Sequence, residues 1–538
     1  MQSVLLLGAG LMQKPAILAA KRLGCRAVVV DGNPAAVCAP LADRFVPVDL
    51  KDRDALVALA ESLRSGAEPL AAVFTAGTDF SANVAFVAER CGLRGHSYQA
   101  CLNASDKVRM RRCFAAAGVP SPGFRELTAS SLADGAADGI AYPQVIKPVD
   151  NMGGRGCRLV RDADELRGAL DEAVRNSRSG RAILEDVMDG AEYSIDAVVW
   201  NGTLTITGFA DRHICYPPYF IEMGHTMPSS CDEKTRNELI ATFALGIQSL
   251  GLTCGVAKAD IKYTAAGPMV GEIAARLSGG YMSGWTYPYA SGCDLTEQAL
   301  LVALGKTPDF LVRHRVPLPW QPHPSVAGKV QPFALYDVPC ARVSAERAWI
   351  SIPGTVVAVT GLEAAAKMPF VRDVFPRAVG GDAVMFPRNN VQKCGNVIAV
   401  APSRAQAEQA AYAAIRQITL RLMPHQPQTD AFLRGGGESG ERGFPPPAFP
   451  AALAAYEKQS CADSALISAG VQVSTFLPPP LLPFLDSEAD WNHGTLRQVL
   501  GRFDELRQNQ YAIRADQFWR AVLRGSIQGA LYVADGIA

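Results

Sequence analysis

The chain is 538 residues long, 49% apolar, with Lys+Arg and Asp+Glu balanced at 52 each. That length predicts three or four domains, and the charge balance offers neither a basic footprint for nucleic acid nor a polybasic patch for a membrane. Thirteen cysteines without a CxxC pair, seven scattered histidines and an N-terminal apolar run (SVLLL) too short for a signal peptide or a span predict a cytoplasmic protein with reduced thiols.

Strand and helix alternate through the first hundred residues. SVLLLGAG is an apolar run ending in glycines, KPAILAAKRLG has helical spacing, RAVVVDGNP is a second run, and AAVFTAG precedes the helix VAFVAERCGL. This predicts a parallel, doubly wound sheet. Gly8-Ala9-Gly10 followed by Asp31 invites a dinucleotide reading, but Gln13 stands where GxGxxG needs its third glycine, so an NAD oxidoreductase is a distant alternative. Thr78, Asp79 and Ser81 fall at the same carboxyl edge of the sheet.

Next, ASDKVRMRRCFAAAGVPSPGF opens a helix at Asp106-Lys107 and closes it at Gly118. YPQVIKP is a strand carrying Lys147, followed by NMGGRG. Gly153, Gly154 and Gly156 let a backbone wrap phosphate oxygens, although such turns are also ordinary hairpins. AILEDVMDGAEYSIDAVVW reads as strand, connector, strand. Glu185 to Met188 (with Asp186 and Val187) is a candidate adenine hinge and Glu192 a candidate ribose ligand; singly, each acid is as readily a solvated strand end. About a hundred residues after Lys147 come Asp260, in GVAKADIKYT, and Glu272, in GEIAARLSGG, with Arg276 behind it. Lysine and loop N–H groups for phosphates, then two carboxylates for a divalent ion, is the order a nucleotide polyphosphate site needs.

Taken together, SDKVRMR…AAAGVPSP, VIKPVDNMGGRG, LEDVMDGAEYSID and ADIK…GEIAARLSGG resemble the ATP-grasp superfamily, over residues 1–425. The resemblance implies Lys107 and Lys147 on the phosphates, the hinge at 185–188, Glu192 on the ribose, and Asp260 and Glu272 on Mg²⁺ (Mn²⁺ as substitute) beside ATP. PPYFIEMGHTMPS and EIAARLSGG are similar to segments of L-amino acid ligases and related carboxylate–amine ligases. That likeness implies His225 and Arg276 near the reacting acyl group and Arg212 near the γ-phosphate. Three departures stand out: Ala274 replaces the asparagine of Glu-x-Asn, Asp260 replaces a Glu, and Lys258 stands where that branch often shows a His.

From about 315 the pattern turns to short strands with Gly and Pro turns, then a helix to 425. Residues 426–450 read as a Gly/Pro-rich linker, and residues 451–538 as a helical tail without a counterpart, a candidate for covering the site or binding a partner. The expected architecture is therefore α/β and α+β: a Rossmann-like pre-ATP-grasp domain (1–100), an ATP-grasp domain (101–314, with 120–190 as its lid), a β-rich C-terminal subdomain (315–425), linker and tail. The expected function is an ATP-dependent ligase joining a small carboxylate, such as an amino acid, to an amine, with homodimerisation left open. The alternatives are a bicarbonate-activating carboxylase of the biotin-carboxylase or purine-biosynthetic kind and a non-catalytic ATP-binding module.

Overall fold

The computed structural model of the protein describes residues 1–136, 138–436, 442–458, 466–507 and 511–537. It divides into two compact units, 1–213 with 225–344 and 402–404, and 214–224 with 345–401 and 405–538.

The first unit begins with the alternation of apolar strand and amphipathic helix. Strands Gln2–Leu7, Cys25–Asp31, Arg44–Pro47 and Leu70–Phe74 make a parallel sheet in the spatial order third, second, first, fourth. Val4, Leu6, Ala27 and Val29 enter one core while Leu5, Leu7, Val28 and Val30 enter another. That alternation of two is what a sheet covered on both faces requires. The glycine turn after the first strand is closed by Gln13, which is buried. Its side-chain oxygen accepts from Ala76 N at 2.9 Å and its amide donates to Ala76 O. Asp31 accepts from Ala9 N at 2.8 Å and Asn33 N at 2.9 Å, so its carboxylate serves the turn rather than a ribose.

Helix Lys107–Ala117 follows, capped by Asp106, which accepts from Arg109 N at 3.0 Å, and ended by Gly118 in the left-handed region. Strands Phe124–Thr128, Arg181–Asp186, Gln144–Pro148 and Arg158–Val160 then form a small antiparallel sheet in that order. Helix Ala163–Asn176 seals its core with Leu166, Ala169, Leu170 and Ala173. A further sheet places Gly267–Ala274, Gly255–Thr264, Ala191–Trp200 and Thr203–Cys215 side by side, packed on helix Glu233–Leu250.

The division differs from the expected one in two places. Residues 315–344 belong with the first unit, because Ala334–Asp337 pairs in parallel with residues 203–206 and Val316–Pro317 pairs with it in turn. Nor does the expected tail stand apart from the β-rich segment. Strands Gly354–Thr360, Val371–Pro376, Gly395–Ala401 and Thr419–Leu422 share a unit with helices Pro450–Lys458, Leu496–Leu506 and Ala515–Asp535. Trp349, Ile352 and Val397 lie in one apolar cluster with Phe449, Phe503, Phe518 and Trp519. Within the expected linker, Pro427–Arg434 is helical and Phe444 and Phe449 are buried; its residues 437–441 lie outside the described residues. Glycine and proline suggested a spacer, but the aromatic side chains between them have a core to fill. Among the described residues, no helix is long and apolar enough to cross a membrane.

Candidate functional site

Three strands build a floor of charged rows. In antiparallel pairs, directly opposed residues share a face, and residues two apart on one strand share it too. One row is Asp196, Lys258 and Ala274; the next is Ser194, Asp260 and Glu272; a third holds Glu192 and Lys262. The pairing slips by one residue just past Asp260, and Gly271 lies at that irregularity. A Cβ on Gly271 would come within 3.0 Å of Asp260 O and 3.3 Å of Met188 Cε. Its carbonyl accepts from Arg111 Nη2 at 2.6 Å. Glycine here lets Asp260 and Glu272 stand opposite each other while Met188 lies close above.

The small antiparallel sheet contributes the lysine. Lys147 Nζ meets Glu185 Oε2 at 2.7 Å, and Arg111 Nε meets Glu185 Oε1 at 2.9 Å, with the Arg111 and Glu185 side chains almost wholly buried. Burial alone would raise the Glu185 pKa; Lys147 and then Arg111 hold it below the usual carboxylate value. Lys107 Nζ donates to Asn151 O at 2.9 Å in the glycine loop and lies 3.7 Å from Glu272 Oε2. Gly153, Gly154 and Gly156 all have positive φ. At Gly156 a Cβ would press to 3.1 Å from Ala173 Cα and Asn176 Cβ, so this glycine also seats the loop on its helix.

The hinge candidate is open where a base edge would lie. Asp186, Val187 and Gly190 are exposed, while Met188 O accepts from Lys262 Nζ at 3.1 Å. Glu192 is held by Arg212 Nη1 at 2.5 Å and by Lys262 Nζ at 3.4 Å. Arg212 Nη1 also lies 3.2 Å from Asp260 Oδ2, which Lys258 Nζ approaches to 2.5 Å.

Asp260 and Glu272 fit a hard divalent ion. Such an ion takes oxygen ligands and commonly needs only one or two carboxylates when phosphates supply the rest. Among the described residues there is no cluster of three His, Cys, Asp or Glu for an all-protein cage. In the middle row, Asp260 Oδ1 and Ser194 Oγ are buried without a hydrogen-bond partner. Both carboxylates stay ionised. Burial opposes ionisation of Glu272, but Lys107, Lys258, Lys147 and Arg276 pull its pKa down to about 2. Burial likewise opposes Asp260, which Arg212 and Lys258 lower despite the Glu272 charge. Here the nearby cations outnumber the acids, as a site for a polyanion requires.

Arg276 is buried; its Nη1 donates to Leu277 O at 3.1 Å and its Nε has no hydrogen-bond partner. The turn that carries it is pinned by Asp196, which accepts from Ser278 N at 3.1 Å, from Ser283 Oγ at 2.5 Å and from Ser278 Oγ. His225 is fully buried on strand Ile221–Met227. Ion pairs and close charges thus join Lys107, Lys147, Glu185, Glu192, Arg212, Asp260 and Glu272 into one network, with Arg276 acting on Glu272 through its charge.

Sequence reasoning passed over Arg111, Lys262 and Asp196. The first two carried a readable signal. Arg111 is one helical turn beyond Lys107, and Lys262 continues the alternation Lys258, Asp260, Lys262 on one strand face. Asp196 had none, since an acid in an apolar strand shows its partners only after folding.

An ATP-grasp domain model matches residues 140–284, and a model described as L-amino acid ligase C-terminal domain 2 matches residues 348–423. The chain is 26% identical over 413 residues to an uncharacterised protein, y4rH, of Sinorhizobium fredii, covering 76% of this chain and 80% of that one. It is 28% identical over 333 residues to carnosine synthase 1 of Gallus gallus, covering 57% of this chain but only 36% of the synthase. Among solved structures, an L-amino acid ligase from Bacillus licheniformis superposes with a TM-score of 0.64 at 20% identity, over 79% of this chain and 99% of that one. A phosphoribosylglycinamide synthetase from Anaerococcus prevotii gives 0.57 at 16% identity, over 78% of this chain and all of the other.

Proposed function

Since this chain belongs to the ATP-grasp superfamily, in which ATP with Mg²⁺ is the cofactor pair, we propose that it is an ATP-dependent carboxylate–amine ligase. It activates the carboxylate of an amino acid or similar small acid as an acyl-phosphate, joins it to an amine, and releases ADP and phosphate. One observation carries the reading: Lys107, at the start of its helix, and Lys147, on the strand before the glycine loop, converge on the same network as the opposed carboxylates Asp260 and Glu272.

In this mechanism Lys107, Lys147 and the N–H groups of residues 149–157 hold the polyphosphate. The hinge at 185–188, exposed at Asp186 and Val187 while the Glu185 side chain is committed to Arg111 and Lys147, takes the adenine edge through its backbone, and Glu192, oriented by Arg212 and Lys262, takes the ribose. Asp260 and Glu272 would hold the Mg²⁺, which when bound neutralises charge on the transferring phosphoryl group. Arg276 holds the donor carboxylate as its oxygen attacks the γ-phosphorus, expelling ADP and leaving the acyl-phosphate. The amine then attacks the acyl carbon. Arg276, with His225, stabilises the tetrahedral oxyanion, the amine's proton passes to the departing phosphate, and the C–O bond to that phosphate breaks as the amide forms.

Phosphate release screened across pairs of amino acids and amines tests this. Release that depends on both partners and yields equimolar ADP is expected. Release that needs only bicarbonate would transfer the site to carboxyphosphate chemistry. Nucleotide binding without turnover under every acceptor pool would reduce the chain to a binding module.

A further inference from the structure

Lys258 occupies a position in the floor that the ligase mechanism has not yet used. Its side chain is only 7% exposed, and its Nζ lies 2.5 Å from Asp260 Oδ2. The same oxygen receives Arg212 Nη1 at 3.2 Å. Asp260 Oδ2 therefore already has two cationic partners, and the carboxylate has one oxygen left, the buried and unpartnered Oδ1. Asp260 thus offers a free oxygen to one ion, and a second would have only Glu272 and the phosphates to hold it.

The register explains why the ammonium sits there. Lys258 is two residues from Asp260 on one strand, so both point to the same face. Across one pairing its neighbour is Ala274, whose methyl group leaves lateral room for a four-carbon stem. Across the other its neighbour is Asp196, itself fixed by Ser278 and Ser283. The lysine is thus built into the floor between acids on either side of it. It is not a surface chain resting on a convenient carboxylate. Its ammonium is a compact point charge with rotatable donors, suited to meeting a phosphoryl oxygen.

We propose that the Lys258 ammonium is a built-in cation of the active site, taking the seat beside Asp260 that a second divalent ion would fill, so that the enzyme works with a single Mg²⁺. This rests on the ligase reading above. The remaining oxygens, Asp260 Oδ1, Ser194 Oγ and Glu272, form one oxygen-only site in the middle row for that ion.

The test is the number of ions bound, read without turnover. Mn²⁺ is titrated into the full chain with a non-hydrolysable ATP analogue, and binding is followed by calorimetry and electron paramagnetic resonance. The wild type is expected to take one Mn²⁺ per chain, with no spin-coupled pair. Lys258→Met, checked for folding by circular dichroism, is expected to bind a second Mn²⁺ at least tenfold more tightly than the wild type does and to show the coupled spectrum. Lys258→Arg keeps the single ion. A wild-type chain that binds two coupled Mn²⁺ ions overturns the inference and leaves the ligase reading intact, as does a folded Lys258→Met that still binds one with unchanged affinity. Should Lys258→Met fail to fold, Lys258→Gln and the wild-type stoichiometry decide. If no Mn²⁺–nucleotide binds at all, the ligase reading itself fails and this inference falls with it.

Discussion

Glu185 carries the heaviest electrostatic load beneath the site, because one buried carboxylate holds two cations away from water. Arg111 has no exposed side-chain surface, Glu185 keeps 3% and Lys147 keeps 15%. Glu185→Gln preserves the shape but leaves Arg111 and Lys147 facing a neutral amide. Removing one partner of a buried ion pair costs roughly 3–5 kcal/mol, since a charge is left uncompensated in low dielectric. In a chain of two units, global unfolding is a poor reporter, so local opening is the quantity to measure. Hydrogen exchange in strands Gln144–Pro148 and Arg181–Asp186 should speed up by roughly two to four orders of magnitude. Replacing the pair with apolar side chains, Arg111→Met with Glu185→Leu, should recover the part of that protection lost through Arg111, while Lys147, 15% exposed, still lacks its carboxylate. The pH dependence has a definite sign. A folded-state pKa held below the unfolded one contributes stability above the unfolded carboxylate value, and that stability is lost as pH falls through the lower folded value. Protection in these strands should therefore persist from neutral pH into the carboxylate range and collapse below it. An exchange rate in Glu185→Gln within tenfold of wild type would refute this account of the site's lower layer.

Other expectations follow from the same geometry. Lys147→Ala and Glu272→Ala should each lower phosphate release by at least about a hundredfold in steady-state assays while circular dichroism stays unchanged, since each removes a charge that acts on the transferring group. Because Glu272 stays ionised down to about pH 2, Mn²⁺–nucleotide affinity should not fall between neutral and mildly acidic pH through this group; the stability it contributes should disappear between about 4.5 and about 2, seen in acid titration by near-UV circular dichroism. Gly156→Ala forces a side chain into a left-handed backbone against Ala173 and Asn176, and should destabilise the 149–157 loop by about 1–3 kcal/mol, read as faster limited proteolysis there and a raised KM for ATP. Asp196→Asn replaces a carboxylate acceptor of two serine hydroxyls and an N–H with a weaker one. A cost of about 1–3 kcal/mol is expected at the 276–284 turn, with kcat reduced through Arg276 and nucleotide affinity largely retained.

Much of the fold could be read in the chain because it rests on local periodicity. The alternation of apolar runs and helical spacing over residues 1–100 anticipates the parallel sheet, and the order lysine, glycine loop, acid, acid anticipates a nucleotide site. Motifs of this kind keep their meaning in sequence because each is a few residues long and its geometry is set by the local backbone. The second unit was harder to read. A stretch as rich in glycine and proline as 426–450 carries the composition of a spacer, and only the cluster joining Trp349 to Phe449, Phe503 and Trp519 reveals that strands and helices there have one core between them.

Charge partners divide along the same line. Which cations and carboxylates are available, and on which secondary elements, follows from local sequence: Lys107 at a helix start, Lys147 on a strand before glycines, Asp260 and Glu272 on successive strands. Their pairing comes only from long-range folding. Strand register set Asp260 opposite Glu272 and Lys258 opposite Ala274, and packing of the small antiparallel sheet put Glu185 between Arg111 and Lys147. Such pairings join residues 12 to 74 positions apart, and a shift of one residue in register would turn the strand-borne side chains among them to the other face of the sheet.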